Sequence, residues 1–291
     1  MNTRAFLTAA VGGLACAQAM AAPPAAAPDA WSKVPALPTA CLSSQDQQWM
    51  ERNNAAIEAV QELRAAQNEK NGALDQQANR ALSENPMAMA QAVQQAMMDD
   101  PANAQKLIEK MTQTGTQAAA EMPERSEKEK QIEEESKTLL KQYDTALKQA
   151  MQPATARWHA FQKKMGWDTQ DDFSYAGDPS WPQEAWQEWA VVQKIRDTAY
   201  NTTCAQWWSA TGQFQGYMKR YKTYLVQERM PYQKKLVDEP KLDNFKLLNV
   251  PAGEYRTTTD MDAALDYMRM ASSVYGARMS DPYCRKDYGC E

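Results

Sequence analysis

Apolar and polar positions along this chain recur at steps of three and four almost throughout, and no stretch shows the alternation expected of a strand. The pattern predicts an all-α fold. Ser44 and Gln47 form a capping box that opens a long helix with Trp49, Ala56, Ile57, Val60 and Leu63 on its inner face. Gly72 is expected to loosen this helix before Ala78–Leu82. Asn85-Pro86 and Asp100-Pro101 each place an N-cap residue before a proline, which predicts two short helices ending near Asp99 and Gln117.

A second capping box, Ser126 with Glu129, starts a helix with a long seam: Ile132, Ser136, Leu139, Tyr143, Leu147, Ala150, Ala154, Trp158, Phe161 and Met165. Pro153 is expected to kink or divide it. Residues 166–181 carry turn signals and read as a loop. From Pro182 another long helix is expected. Its stripe of Trp189, Tyr200, Trp207, Phe214 and Tyr221 is bent at Gly212 or Gly216 and ended or kinked at Pro231. A segment rich in proline and charge follows, Asp238 to Gly253. A last helix from Thr259 then carries Met261, Leu265, Met268, Ser272, Tyr275 and Met279 on one side.

The first 22 residues break this pattern. Arg4, an apolar run over Ala5–Ala17 and the small residues Ala19-Met20-Ala21 make a secretory signal peptide. "GLAC" at Cys16 lacks the larger aliphatic residue of a lipidation site, since Gly13 stands in its place. The expected organisation is therefore a signal at 1–22, an Ala/Pro-rich flexible lead-in at 23–40 and a helical region at 41–165 with Met-rich short helices at 86–117. The loop at 166–181 and a Trp/Tyr-rich helical region at 182–291 with a clipped tail complete it. The mature chain has no stretch long and apolar enough for a transmembrane helix.

Export changes the reading of the cysteines. Cys41, Cys204, Cys284 and Cys290 remain after cleavage, an even number in an oxidising compartment, so two disulfides are expected. Cys284–Cys290 is favoured as a local clip and Cys41–Cys204 as a long staple between helices. The whole expectation is an elongated, disulfide-stapled helical bundle of two long helices and several shorter ones, located in the periplasm or secreted. Its long amphipathic helices are of the kind that supports coiled-coil packing and homo-oligomers. The net charge of −5 becomes −6 once Arg4 leaves with the signal, a balance that argues against nucleic acid as a partner.

Candidate chemistry is sparse. His159 is the single histidine, which removes multi-histidine zinc sites, and no nucleophile elbow, P-loop or dinucleotide fingerprint is present. No catalytic residue, metal site or cofactor is assigned, and the chain reads as a non-enzyme. Asp171 and Asp172, with exposed tryptophans, give the alternative of a cell-wall-active enzyme. Among the tryptophans, Trp186, Trp189 and Trp207 fall near the inner stripe, and Trp167, Trp181 and Trp208 are the expected exposed platforms. "YMKRYKTYLVQERMPYQKK" at 217–235 carries six basic residues and four tyrosines. It reads as a charged outer face with tyrosines turned inward, or else as a contact for anionic lipid or wall polymer.

The methionines give the leading candidate. In "NPMAMAQAVQQAMMDDPANAQKLIEKM", Met89, Val93, Ala96 and Met97 share one helix face, Met87 and Met98 lie on the other, and Leu107, Ile108 and Met111 form the stripe of the next helix. Core packing is the first expectation for these side chains, an adaptable apolar groove the second. Copper binding through thioethers is a third alternative, opposed by the roughly 200° between Met87 and Met89 on a helix. The segment resembles the DP modules of co-chaperones and ubiquilins, small helical hands that hold apolar segments of client proteins. The likeness covers about 30 of 291 residues and lends a physical idea rather than a family. The binding residues so assigned are Met87, Met89, Val93, Met97, Met98, Leu107, Ile108 and Met111, with an envelope protein as the partner.

Overall fold

The computed structural model describes residues 29–39, 43–168 and 179–279, and among them the regular structure is entirely helical. The signal segment, Cys41, Asp171, Asp172, Cys284 and Cys290 lie outside the described residues. Helix α1 spans Ser43–Glu84, α2 Ala88–Asp99, α3 Pro101–Lys164, α4 Gln183–Trp208, α5 Gln213–Tyr224, α6 Met230–Gln233, α7 Glu239–Leu247 and α8 Thr259–Met279. No helix among the described residues is long and apolar enough to cross a membrane.

The 64 residues of α3 give it a length of about 96 Å at 1.5 Å per residue. Two expectations give way here. The capping box at Ser126 lies inside α3 rather than at a helix start, so the second short helix and the seam helix are one element. Pro153 does not divide it either. Gln152 and Pro153 face solvent while Met151 and Ala154 are buried, so the missing hydrogen bond falls on the outer side, where long helices open slightly as they wrap a core. The seam itself packs as read, with Leu139, Tyr143, Leu147, Ala154, Trp158 and Phe161 buried.

Helices α3 and α4 form an antiparallel pair, tied by the Arg157–Glu188 and Lys164–Glu184 ion pairs. Their far end buries Trp158, Phe161 and Trp189 together. Helix α8 packs along α1, where Val60, Met261, Leu265 and Met268 meet. Asn53, buried in the α1 stripe, donates to the Met268 carbonyl at 3.0 Å and Ser272 Oγ at 2.8 Å. Gly72 leaves α1 unbroken through Glu84. Below it Asn71 donates to the Arg256 carbonyl at 2.8 Å. The helix expected to run on from Pro182 is instead broken at residues 209–212. Beyond this break α5 continues along α3 in the same direction, with Phe214 stacked on Trp208 at a ring-centroid distance of 3.9 Å.

From Gln213 to Leu247 the chain stays helical through two prolines and through most of the segment expected to be irregular after Asp238. Each proline follows a widened π-turn, Leu225–Arg229 before Pro231 and Lys234–Asp238 before Pro240. The Met230 N–H reaches the Leu225 carbonyl and the Glu239 N–H reaches that of Lys234, five residues back. A proline ring clashes with the carbonyl four residues earlier, here Gln227 or Leu236. Both carbonyls fall within the wider turns, which relieve that clash. The lead-in also differs from expectation over 29–39: Ala30 is fully buried, and Trp31, Val34 and Leu37 pack on the core.

Candidate functional site

Helix α2 is a short element between two long ones. The Asn85 side chain accepts from the Met87 N–H at 3.1 Å, and the Met87 carbonyl takes a helical bond from the Gln91 N–H at 2.8 Å. This is the Asx-Pro start that the sequence predicts. Met87 is 61% exposed, Met98 65% and Met97 41%, three of the most exposed large apolar side chains among the described residues. Core packing, the first expectation for these side chains, therefore gives way at Met87 and Met98, which point outward. Met97, which periodicity places on the face of Met89 and Val93, also stands in solvent. Val93 is half-buried, and α2 packs on α3 and α7. The side chains of Met89, Leu107, Ile108 and Met111 lie outside the described residues. A hand of two short helices is not formed, because Leu107, Ile108 and Met111 belong to the 64-residue α3.

Two tryptophans, one at each end of α4, differ from expectation. Trp208 is fully buried, stacked on Phe214 and 5.2 Å from Tyr275, so it is no exposed platform. Trp167 and Trp181 are half-buried, 6.4 Å and 5.0 Å from Trp158. Trp186, expected near the inner stripe, is 41% exposed. It occupies the first turn of α4, at the margin where α3 ends at Lys164 and no longer covers it.

The basic, tyrosine-bearing stretch resolves into packing and paired charge. Tyr217, Tyr221 and Tyr224 are buried, with the Tyr217 hydroxyl donating to the Ile132 carbonyl at 3.2 Å and Tyr224 to Glu129 Oε1 at 2.9 Å. Arg229, on the first π-turn, pairs with Asp266 at 2.7 Å and Glu129 at 3.5 Å, linking α8 and α3. Burial acts to lower the Arg229 pKa, and those two carboxylates more than offset it, so the guanidinium is held above its ordinary value. Arg220 pairs with Glu135, Lys128 with Glu228 and Lys234 with Asp260. In the cleft of about 520 Å³ beside Arg229, the lining cations Lys137, Arg229 and Arg269 are likewise paired, with Glu134 and Asp266.

Sequence reasoning missed the buried pair of Asp46 and Arg278. It joins the first turn of α1 to the last turn of α8, and neither residue stands out at that separation in the chain. Among the described residues no three His, Cys, Asp or Glu side chains converge as a metal site would require. His159 is half-buried on α3 beside Trp158. Comparison with protein-family models, with characterised proteins and with solved structures finds no match.

Proposed function

We propose that this chain is a non-catalytic, exported helical binding or scaffolding protein of the bacterial cell envelope, which contacts a protein partner through the methionine-bearing face of α2. The observation that carries the reading is the joint exposure of Met97 and Met98 on one short helix and of Met87 in the turn that opens it. Unbranched thioether side chains adapt to irregular apolar surfaces at little cost, which suits a contact face. Large apolar groups left in solvent together mark interaction sites more often than single ones do. Two disulfides, Cys41–Cys204 and Cys284–Cys290, belong to the same proposal. Cys204 is fully buried in the cluster that also holds Trp49, so the start of α1 and the last turns of α4 already share one core.

A photo-crosslinking residue at position 98, with a control at the solvent-facing position 152, tests the contact in intact cells. A discrete product from position 98 that is absent from position 152, and lost in Met87→Asp/Met97→Asp, is expected. A product of twice the chain mass would name a second copy of this chain as the partner. Equal products from both positions, or none, would remove α2 as the contact face.

A further inference from the structure

The methionines of this chain stand in two chemical environments. Met151, Met218, Met230, Met261 and Met268 are buried in the core, whereas Met87, Met97 and Met98 are exposed together at α2. The Met87 carbonyl already accepts the helical bond from the Gln91 N–H, so Met87 is in register with α2. Met87, Gln91, Gln94 and Met98 then follow at steps of four, three and four, which puts them on one face, and all four are exposed. In a chain that is 24% charged, α2 carries a single charged residue, Asp99. A contact made by this face therefore depends on burying thioethers and on amide hydrogen bonds, with no ion pair to sustain it if the thioethers change.

Exposure also decides which thioethers an oxidant can reach. Hydrogen peroxide passes one oxygen atom to a sulfur lone pair: the O–O bond breaks and an S–O bond forms. The sulfur loses two electrons and the peroxide gains them. The released hydroxide takes the proton of the transferred oxygen and leaves as water. The product is a polar sulfoxide in place of a flexible apolar side chain. A core methionine is shielded from the same reaction, because the oxidant would have to enter close-packed structure.

We propose that Met87, Met97 and Met98 form a modification site. A hydroperoxide converts them to sulfoxides ahead of the core methionines, and the change withdraws the apolar surface through which α2 makes its contact. Sulfoxide reductases return methionine sulfoxide to the thioether, so the modification is reversible. The inference rests on the reading of α2 as the contact face.

The test treats the purified, native full chain with hydrogen peroxide and maps sulfoxides by peptide mass spectrometry. Met87, Met97 and Met98 are expected to oxidise first, and Met151, Met218, Met261 and Met268 only on unfolding. Retention on a hydrophobic-interaction column should fall in step and return after treatment with methionine sulfoxide reductases. A photo-crosslinking residue at position 94, on the same face, reads the contact in envelope extract. Its product should fall roughly tenfold on oxidation, the loss expected when the burial of one methionine side chain is forfeited. Met87→Leu/Met97→Leu/Met98→Leu keeps the apolar bulk without the sulfur, so it should hold both product and retention through the same treatment. The inference is overturned if the core methionines oxidise as fast as the three on α2, or if oxidation leaves the wild type's retention unchanged. It is overturned equally if the leucine variant loses as much as the wild type, or if a product at 94 survives oxidation. Should neither form give a product at 94, the contact-face reading falls, and the map and the column alone decide the modification site.

Discussion

Arg278 grips Asp46 with two guanidinium nitrogens, Nε at 2.8 Å from Oδ2 and Nη2 on Oδ1, and both side chains are withdrawn from solvent. The guanidinium lies 5.0 Å from the Trp208 ring and 5.2 Å from Tyr275, so aromatic faces take the place of water around the charge. The contact closes the end of α8 onto the beginning of α1. Removing one partner leaves an uncompensated buried charge, which costs about 3–5 kcal/mol. Asp46→Ala and Arg278→Ala are each expected to lower the unfolding free energy by that amount, read as a fall in the urea midpoint. Arg278→Lys should recover little, because an ammonium cannot span both oxygens. A midpoint for Asp46→Ala within the error of the wild type would show that the pair does not hold the helix ends.

Two glycines should respond to alanine with opposite signs. At Gly212 an added Cβ would lie 2.5 Å from the Trp207 carbonyl oxygen and 2.7 Å from the Trp208 nitrogen, backbone atoms that cannot step aside. Overpacking of this kind costs about 1–3 kcal/mol, and here it would also disturb the α4–α5 junction. At Gly72, inside α1, nothing lies within 4 Å of the new methyl. Gly72→Ala should stabilise by about 0.5–1 kcal/mol through helix propensity alone. Thermal melts of the two variants check both signs, and a destabilised Gly72→Ala would point to a contact that the fold does not show.

The same junction explains how far the sequence can be read. The seam from Ser136 to Phe161 and the stripe through Trp189, Tyr200 and Trp207 were legible because burial on a straight helix follows a fixed angular step. Trp208 was not legible. Its burial depends on the break at residues 209–212, which sets Phe214 of α5 on its ring, and an angular projection that treats the helix as continuous turns it outward. Pro153, Pro231 and Pro240 read as breaks because propensity is local. Outward placement of the first and π-turns before the other two remove the conflict, and neither device has a sequence signature. The candidate site was half legible: the exposure of Met87 and Met98 follows from periodicity, whereas that of Met97 depends on how α2 seats on its neighbours.

Alkaline unfolding should be steep, because burial raises the pKa of five core tyrosines. Tyr217 and Tyr267 are each pushed up to about 12, and Tyr221, Tyr255 and Tyr275 are raised further still. For Tyr255, burial is the larger cause, and its hydrogen bond to Asp238 adds to it. A raised phenol pKa favours the protonated folded state. Its contribution is therefore complete below pH of about 10, where unfolded tyrosine ionises, and falls as the pH rises from there through about 12. Tyrosinate absorbance and helical dichroism recorded together should change in one transition within that window. Ionisation of these tyrosines near pH 10 with the helices intact would contradict their burial.

The proposed long staple makes the chain sensitive to reductant in a specific way. Cys204 lies fully buried between Tyr200 and Trp207 on the inner face of α4, in the cluster that contains Trp49. A bond from there to Cys41 closes a loop that the chain-entropy model values at about 5 kcal/mol, against about 2 for the Cys284–Cys290 clip. Cys204→Ser is thus expected to lose much more stability than Cys290→Ser, and the oxidised wild type should lose the larger amount on reduction. Peptide mapping without reductant should return residues 41 and 204 as one cross-linked species. The staple fails as a proposal if Cys204 is alkylated in the unreduced, denatured protein. It fails equally if Cys204 is mapped to the tail, since α4 would then be pinned to the chain's end rather than to the start of α1.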